Sequence, residues 1–566
     1  MSENRYWTGG AGSIVDDVMD DEHCYRVAGS RDGRFDGTFV TAVVTTGIYC
    51  RPSCPAMTPK RQNMRFYPTP AAAQESGFRA CKRCRPDAAP GSPEWDARAD
   101  LVARTVRLIG DGVVEREGIA GLAGRLGYST RQLHRLVTAE LGTGPLRLAM
   151  AHRVQNARAL LESSDLPVTD VAWAAGFASV RQFNDRVREV FALTPTEIRA
   201  RAGRGRPVGA LPGAPTVVAR LTYRPPLDLA DLLAFLGRRA VPGVETWDGT
   251  TFERTLDLPH GPGLVAVAFD PSPGTRPSGR PSHPAVAATL TLHDIRDYAT
   301  AVARTRRLLD LDADPAAVAA VLGRHRLLTA ALQQSPGRRV PGTVAPFELA
   351  VRAVIGQQVS LASARAVCGR LVADFGPPAD LGPVPGAVAR HLFPRPEALA
   401  GADPATLALP ARRAATVVAL ARAVAEGRIA LDPGADRDET ERRLLELPGI
   451  GPWTAAYIRM RALGDPDVFL PGDLVLARAL AAGRPPDRGP ARPRVARSPT
   501  ESQAWKPWRS YAVAHLWALP VPPGPDQLTP EAKEGTPHAH HPHRGPVLGR
   551  DRPGAPWLPD ASHRGE

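Results

Sequence analysis

From Asp96 to Arg201 the apolar positions recur at helical spacing, and the stretch divides into two similar units. In the first, Ile119 to Leu126 reads as a short helix, Gly127-Tyr128 as a turn and Ser129 to Val137 as a second helix. Val168 to Ala175, Gly176-Phe177 and Ser179 to Phe191 repeat that order. Each first helix stops at Gly, and Ser caps each second helix. Further on the period shortens. Val217 to Tyr223, Phe252 to Leu258, Leu264 to Phe269 and Ala285 to Leu292 alternate or run apolar like strands, with a helix from Asp228 to Arg238. These predict a small antiparallel sheet with helices on one face. From Asp294 to Arg370 and from Pro396 to Met460 the pattern is helical again.

The breaks between these blocks are marked by proline and glycine, of which there are 58 and 52 in 566 residues. Pro86 to Trp95 and Ala202 to Pro215 read as linkers, and Pro271 to Pro284 as a loop. Gly483 to Ser502 is rich in Arg and Pro, and Leu519 to Glu566 in Pro, His and Gly. Neither has a helix or strand period, so both are expected to be disordered. The histidines at His538, His540, His541 and His543 read as part of a solvated tail rather than a metal site. A chain of this length suits roughly three to five domains. Its formal charge of +13 points to an anionic partner such as nucleic acid. No apolar run reaches the length of a membrane span, and the acidic start (Asp16, Asp17, Asp20, Asp21, Glu22) is unlike a signal peptide. Cys24 and Cys368 have no close partners and read as lone reduced cysteines, which suits a cytosolic protein.

The other four of the six cysteines are Cys50, Cys54, Cys81 and Cys84, spaced C-x3-C, 26 residues, then C-x2-C. Each short pair of thiolates can grip one edge of a tetrahedron, which suits a single zinc ion. Arg51, Lys60, Arg61, Arg65, Arg79, Lys82, Arg83 and Arg85 surround them, placing the centre to meet phosphate. A purely structural zinc ribbon would have the same spacing. The wording is more particular. Thr45-Thr46-Gly47-Ile48-Tyr49-Cys50-Arg51-Pro52-Ser53-Cys54 and Gly77-Phe78-Arg79-Ala80-Cys81-Lys82-Arg83-Cys84-Arg85-Pro86-Asp87 resemble the N-terminal domain of the Ada regulators of the alkylation response. That resemblance implies that Cys50 accepts a methyl group from a methylated DNA phosphotriester.

In the two helical units the second helices present Arg131, Gln132 and Arg135, then Arg181, Gln182 and Arg186, side chains able to reach base edges in a major groove. A plain helical hairpin with solvated charges is the bland alternative. Two units in tandem, with Ala175-Gly176-Phe177 and the closing Phe191, Thr194 and Pro195, resemble the AraC-type DNA-binding domain, which follows the zinc domain in Ada proteins.

In the last helical block, Leu447-Pro448-Gly449-Ile450-Gly451-Pro452-Trp453-Thr454-Ala455 joins two helices through a turn that exposes backbone N–H groups, a phosphate-binding geometry. Asp473, in Phe469-Leu470-Pro471-Gly472-Asp473, lies 20 residues beyond Trp453. By local sequence alone Asp473 could simply cap a helix. Together with Phe235 to Val241, Ala353 to Ser360 and Trp505 to Trp517, these residues resemble the helix-hairpin-helix DNA glycosylases of the AlkA type, which act on 3-methyladenine. The resemblance implies that Asp473 is the catalytic carboxylate and that Trp453, Tyr457 and Trp517 form the base pocket. It also implies that Gln357, Gln358, Gly449 and Gly451 meet DNA. No lysine stands at Trp453, so a monofunctional hydrolase is expected. No cysteine follows Cys368, so no iron–sulfur cluster is expected, and no nucleotide cofactor is implied. Two departures stand out. Gln358 takes the place of an apolar wedge, and Gly483 to Ser502 replaces a compact helical stretch whose loss could displace Trp508 or Trp517.

The expected protein is multidomain and mainly α with α+β parts. It comprises a zinc methyl-acceptor domain (15–87), an AraC-type tandem helix-turn-helix domain (96–201), a small antiparallel-sheet α+β domain (216–292), an all-α helix-hairpin-helix glycosylase domain (293–518) and a disordered tail (519–566). Expected partners are one zinc, alkylated and promoter double-stranded DNA in a bacterial cytosol, and RNA polymerase where the chain activates transcription; no membrane is expected. The alternative is a transcription regulator with an inactive glycosylase domain, and a third reading makes the zinc and helix-turn-helix domains mere targeting devices.

Overall fold

The computed structural model describes residues 20–32, 35–81, 83–84, 86, 101–202, 214–269, 284–382, 389–482 and 502–519. Most of the two stretches expected to be disordered, and the tail histidines, lie outside these residues.

The first segment is a four-stranded sheet of β1 (Val40–Val43), β2 (Ile48–Cys50), β3 (Met64–Tyr67) and β4 (Arg79–Ala80) in the order β3-β1-β2-β4. β4 runs parallel to β2, and Cys81 N–H donates to Tyr49 O across 2.9 Å. These strands are two to four residues long, too short to show a period of two.

The helical segment follows the expected plan. A helix at Val113–Leu126 is interrupted at Gly118 (φ 68°), so its second half is the short Ile119–Leu126 helix read from the sequence. Gly127 ends it in the left-handed region, where a missing Cβ removes the steric penalty. Ser129 opens Thr130–Leu141 with a full capping box. Val168–Ala174 and Val180–Phe191, capped by Ser179, form the second unit. Pro145–Ser163 joins the two.

The third segment contains a five-stranded antiparallel sheet in the order β5-β9-β8-β7-β6. β5 (Thr216–Thr222), β7 (Thr251–Leu258), β8 (Gly261–Ala268) and β9 (Ala285–Leu292) match the expected strands, while β6 (Glu245–Trp247) was too short to read. The helix Leu229–Arg238 is capped by Asp228 and buries Leu232, Leu233 and Leu236. Gly237 lets it approach β6, because a Cβ there would sit 2.2 Å from the Trp247 ring.

The remaining helices form an all-helical body with its own core, built on Val351, Val354, Leu371, Val417, Leu420 and Ile458. A separate core crosses segment boundaries. Val40 and Tyr49 of the zinc segment, Phe183 and Val187 of the second helix-turn-helix unit, and Phe252, Val265 and Leu290 of the sheet belong to one buried apolar cluster. Each such side chain contributes about 1.5–3 kcal/mol on burial, so the three segments are held together by a shared apolar core. Polar contacts reinforce it. Asp111, 6% exposed, takes hydrogen bonds from Arg304 and Arg307, and Arg104 and Arg107 donate to the carbonyls of Gly434 and Pro433.

Candidate zinc centre and glycosylase site

The chain brings Cys50 at the end of β2, Cys54 in the following turn, and Cys81 and Cys84 after β4 into one cluster, with the four sulfurs within 4.8 Å of one another. The Cys54 N–H bond to Arg51 O (3.1 Å) closes the C-x3-C turn, and Thr41 Oγ1 donates to Cys50 O. Four sulfurs and no carboxylate suit tetrahedral zinc, and among the described residues this is the one group with metal-ligand geometry. The chain holds one zinc. Cys50 and Cys81 are the least shielded at 9% exposure, and Cys84 the most at 2%. Cys24 and Cys368 are buried thiols outside this cluster, each pushed up to about 12 by burial.

The basic ring around the cluster is thinner than the sequence suggested. Arg51 pairs with Asp36 at 3.1 Å, and Arg61 with Asp21 and Glu22. Lys60, Arg65, Arg79 and Arg83 remain exposed, while Lys82 and Arg85 lie outside the described residues. Asp36 was missed by sequence reasoning. Its carboxylate takes Ser53 Oγ at 2.6 Å as well as Arg51, and its carbonyl takes the buried Arg224 guanidinium at 2.9 Å. The turn between the first two zinc ligands is thereby fastened to the third segment.

On the second helices of the helix-turn-helix units, Arg131, Arg135 and Arg181 are exposed. Gln132 is engaged in the capping box with Ser129, and Arg186 bonds Glu189 at 2.6 Å. Gln182 is half-buried, and its backbone N–H bonds the Ser179 cap.

The helix Arg437–Leu445 and the helix Pro452–Arg461 are joined by the expected hairpin. Gly449 adopts φ 92°, and a Cβ on it would meet Thr416 Oγ1 at 2.2 Å. Thr416 Oγ1 in turn donates to Pro448 O at 2.9 Å. Gly451 caps the second helix without a side-chain bond and is exposed, leaving the helix start open to an anion. Gln357 does not face outward. Its side-chain amide donates to Gly449 O and Thr454 Oγ1, so it braces the hairpin. Gln358 is the exposed one, held at φ 55° on the turn before Ser360.

Asp473 is 7% exposed and stands at the start of the helix Leu474–Ala482. One oxygen, Oδ1, accepts from Leu476 N–H at 2.9 Å, an ordinary N-cap bond. The other, Oδ2, accepts from the indoles of Trp453 (2.9 Å) and Trp517 (3.4 Å). The cap reading of this aspartate therefore holds, and its second oxygen is turned towards the aromatic cluster. Trp453 stacks on Tyr457 with centroids 5.0 Å apart and planes 12° off parallel, and Trp517 tilts towards the same Tyr457 ring at 6.3 Å. The irregular stretch from Gly483 onward does not displace the C-terminal helix. Trp505 and Trp508 are buried, and Arg509–Trp517 delivers Trp517 to Asp473.

With this geometry in hand, four family descriptions match along the chain. They are the metal-binding domain of Ada over 23–87, a helix-turn-helix domain over 122–201, the AlkA N-terminal domain over 218–345, and the HhH-GPD superfamily of base excision DNA repair proteins over 351–508. A Mycobacterium tuberculosis protein, the probable bifunctional transcriptional activator/DNA repair enzyme AlkA, is 50% identical over 499 residues, covering 88% of this chain and 96% of its own length. The chain belongs to this family of bifunctional activator/repair AlkA proteins. Its two halves also match separate Escherichia coli proteins. DNA-3-methyladenine glycosylase 2 is 35% identical over 300 residues (52% of this chain, 95% of that one). The bifunctional transcriptional activator/DNA repair enzyme Ada is 34% identical over 185 residues (32% and 49%).

In this AlkA-type site the sequence reading stopped short of two arginines. Arg461, 5% exposed, donates to the Tyr457 hydroxyl at 2.5 Å, and Arg239 lies 3.7 Å over the Phe235 ring. Burial alone would raise the Tyr457 phenol, but the charges of Arg461 and Arg239 outweigh it and hold the phenol below its usual value. Arg461 sits four residues after Tyr457, one helical turn along the same face, and that spacing was the available signal.

Proposed function

We propose that this chain joins two repair chemistries to gene control. Cys50 would take a methyl group from a DNA methylphosphotriester, and the glycosylase would release 3-methyladenine-type purines by hydrolysis. The observation that carries the second half is Asp473, a buried carboxylate whose Oδ2 is aimed by two indoles of an aromatic cluster.

For the first half, zinc when bound keeps the cysteine sulfurs ionised at neutral pH. The Cys50 sulfur attacks the methyl carbon, the methyl–oxygen bond breaks, and the phosphodiester leaves with the electron pair. The sulfur becomes a neutral thioether, so the cluster loses one negative charge and repels the DNA backbone less. Lys60, Arg65, Arg79 and Arg83 are the exposed cations available to phosphate. The helix-turn-helix units, through Arg131, Arg135 and Arg181, would then hold a promoter within reach of RNA polymerase in the bacterial cytosol.

For the second half, the damaged base leaves the stack and enters the aromatic pocket of Trp453, Tyr457 and Trp517. Electron-rich rings favour a cationic purine by about 1–2 kcal/mol. The C1′–N bond breaks with its electron pair on the base, which departs neutral. Asp473 stabilises the positive charge appearing on the sugar, and water adds to C1′ with loss of a proton. With Trp453 where a Schiff-base lysine would stand, the backbone stays uncut. The open hairpin at Gly449 and Gly451 would hold phosphate without reading sequence.

Incubation of the intact protein with methylated DNA, followed by mass analysis of both the protein and the released bases, tests both halves. One methyl on Cys50 and free 3-methyladenine are expected. No released base from a folded protein would favour the reading as a regulator alone.

A further inference from the structure

Asp473 and Arg461 stand at opposite ends of the aromatic cluster. Asp473 accepts from the Trp453 indole, Trp453 stacks on Tyr457, and the Tyr457 hydroxyl accepts from Arg461. Arg461 is held in place by the Pro341 carbonyl (2.7 Å) and the Gly342 carbonyl (3.4 Å), both preceding the glycosylase helices. Its guanidinium lies 5.4 Å from the Tyr457 ring and 5.1 Å from the Phe235 ring, with Arg239 also against Phe235. Burial pulls Arg239 down to about 10. Among the described residues neither arginine forms an ion pair; their hydrogen bonds go to carbonyls and to the Tyr457 hydroxyl. A buried guanidinium (Arg461) beside a half-buried one (Arg239), with no carboxylate paired to either, is costly to a fold.

We infer that Arg461 is a positioning residue for base excision, which with Arg239 makes the inner end of the base pocket positive while Asp473 makes the sugar end negative. The inference rests on the glycosylase reading above. When the C1′–N bond of a cationic purine breaks, its electron pair moves onto the base and the positive charge moves to the sugar. That charge leaves the arginines and approaches Asp473. For a neutral base the same electron flow builds negative charge beside the arginines. Either way the field along the pocket favours the transition state. Arg461 also repels a cationic base before the bond breaks, so it lowers affinity while raising the rate. An interaction that is better in the transition state than in the bound ground state is one that accelerates the step.

The test uses the full-length, zinc-loaded protein in excess over a duplex carrying a single N7-methylguanine, so that each trace reports one turnover. Arg461→Met should lower the saturating rate by roughly ten-fold, less than the loss of a group touching the reacting atoms. The half-saturating protein concentration should stay the same or fall. Arg461→Gln should behave like Arg461→Met, and Arg461→Lys, which keeps the charge, should recover most of the rate. A merely structural role for Arg461 would loosen Tyr457 and weaken rate and affinity together, with Lys no better than Met. That result, or a wild-type rate in Arg461→Met, would overturn the inference. If Arg461→Met does not fold, the contrast between Gln and Lys decides. Failure of all three variants to fold would make Arg461 a structural clamp and overturn it too. Wild-type protein that releases no base would instead strike at the glycosylase reading, and the inference would fall with it.

Discussion

The Trp453 indole donates to Asp473 Oδ2 at 2.9 Å, while Oδ1 of the same carboxylate caps the next helix through Leu476 N–H. Capping fixes the backbone of Asp473 and the indole fixes its side chain. The carboxylate is therefore fixed in place, the condition under which the electrostatic role proposed for it would be most effective.

Asp473→Asn keeps a cap oxygen and removes the charge. Excision of 3-methyladenine should fall by about 10²–10³ while DNA affinity stays close to wild type, with a modest drop in melting temperature because the new amide NH2 faces the Trp453 and Trp517 N–H donors. A timed release assay beside a binding titration checks this, and wild-type excision would refute the assignment of Asp473.

Cys50→Ala should abolish methyl uptake on incubation with methylphosphotriester DNA, read as the loss of a +14 Da peptide species on the scale of one CH2 (about 14 Da). Base release should persist, because Cys50 and Asp473 belong to separate sites. A methyl found on another cysteine of the wild type would reassign the acceptor.

Removal of zinc with a chelator should lower the main unfolding transition, not merely erase a small separate one. Tyr49 lies next to Cys50 and sits in the core shared with Phe183 and Val265. Calorimetry with parallel zinc analysis checks this. A main transition that ignores zinc would show that the zinc segment unfolds alone.

Gly449→Ala places a Cβ at φ 92° and 2.2 Å from Thr416 Oγ1. Strain of this kind costs on the order of 1–3 kcal/mol, so the variant should melt lower and bind undamaged DNA more weakly. Gly451→Ala, which meets nothing within 4 Å, should melt almost as wild type and serves as the control.

His515, 2% exposed and in the last turn of the Arg509–Trp517 helix, is depressed by burial and by Arg338 from 6.5 to about 4. Its folded form prefers the neutral ring. Its contribution is therefore complete above pH 6.5 and is lost as pH falls from 6.5 towards 4, by roughly 3 kcal/mol at most. His515→Leu should flatten the pH dependence of unfolding across that window, measured against wild type at equal zinc occupancy. Parallel curves for the two proteins would remove His515 as the cause.

The helix-turn-helix units could be read because each carries its own punctuation: Gly127 and Ser129, then Gly176 and Ser179. The zinc ligands could be read because cysteine pairs announce their chemistry locally. β6 and the four strands of the zinc segment could not, since a strand of two to four residues shows no period. Asp36, Arg224, Arg239 and Arg461 escaped for another reason. Asp36 and Arg224 meet across a segment boundary, and although Arg239 and Arg461 each lie one helical turn from the ring they touch, an arginine in a chain with 71 basic residues gives no local sign that it turns inward. Gln357 was placed at DNA on resemblance alone, whereas its amide is spent on Gly449 O and Thr454 Oγ1.

The apolar core shared by Tyr49, Phe183 and Val265 has a consequence for supply. Cut between residues 203 and 213, each half would carry an uncovered greasy face and clump. Because both halves are one polypeptide, the regulator and the glycosylase come off the ribosome in a fixed one-to-one ratio, and the shared core keeps that ratio from being loosened by splitting the chain.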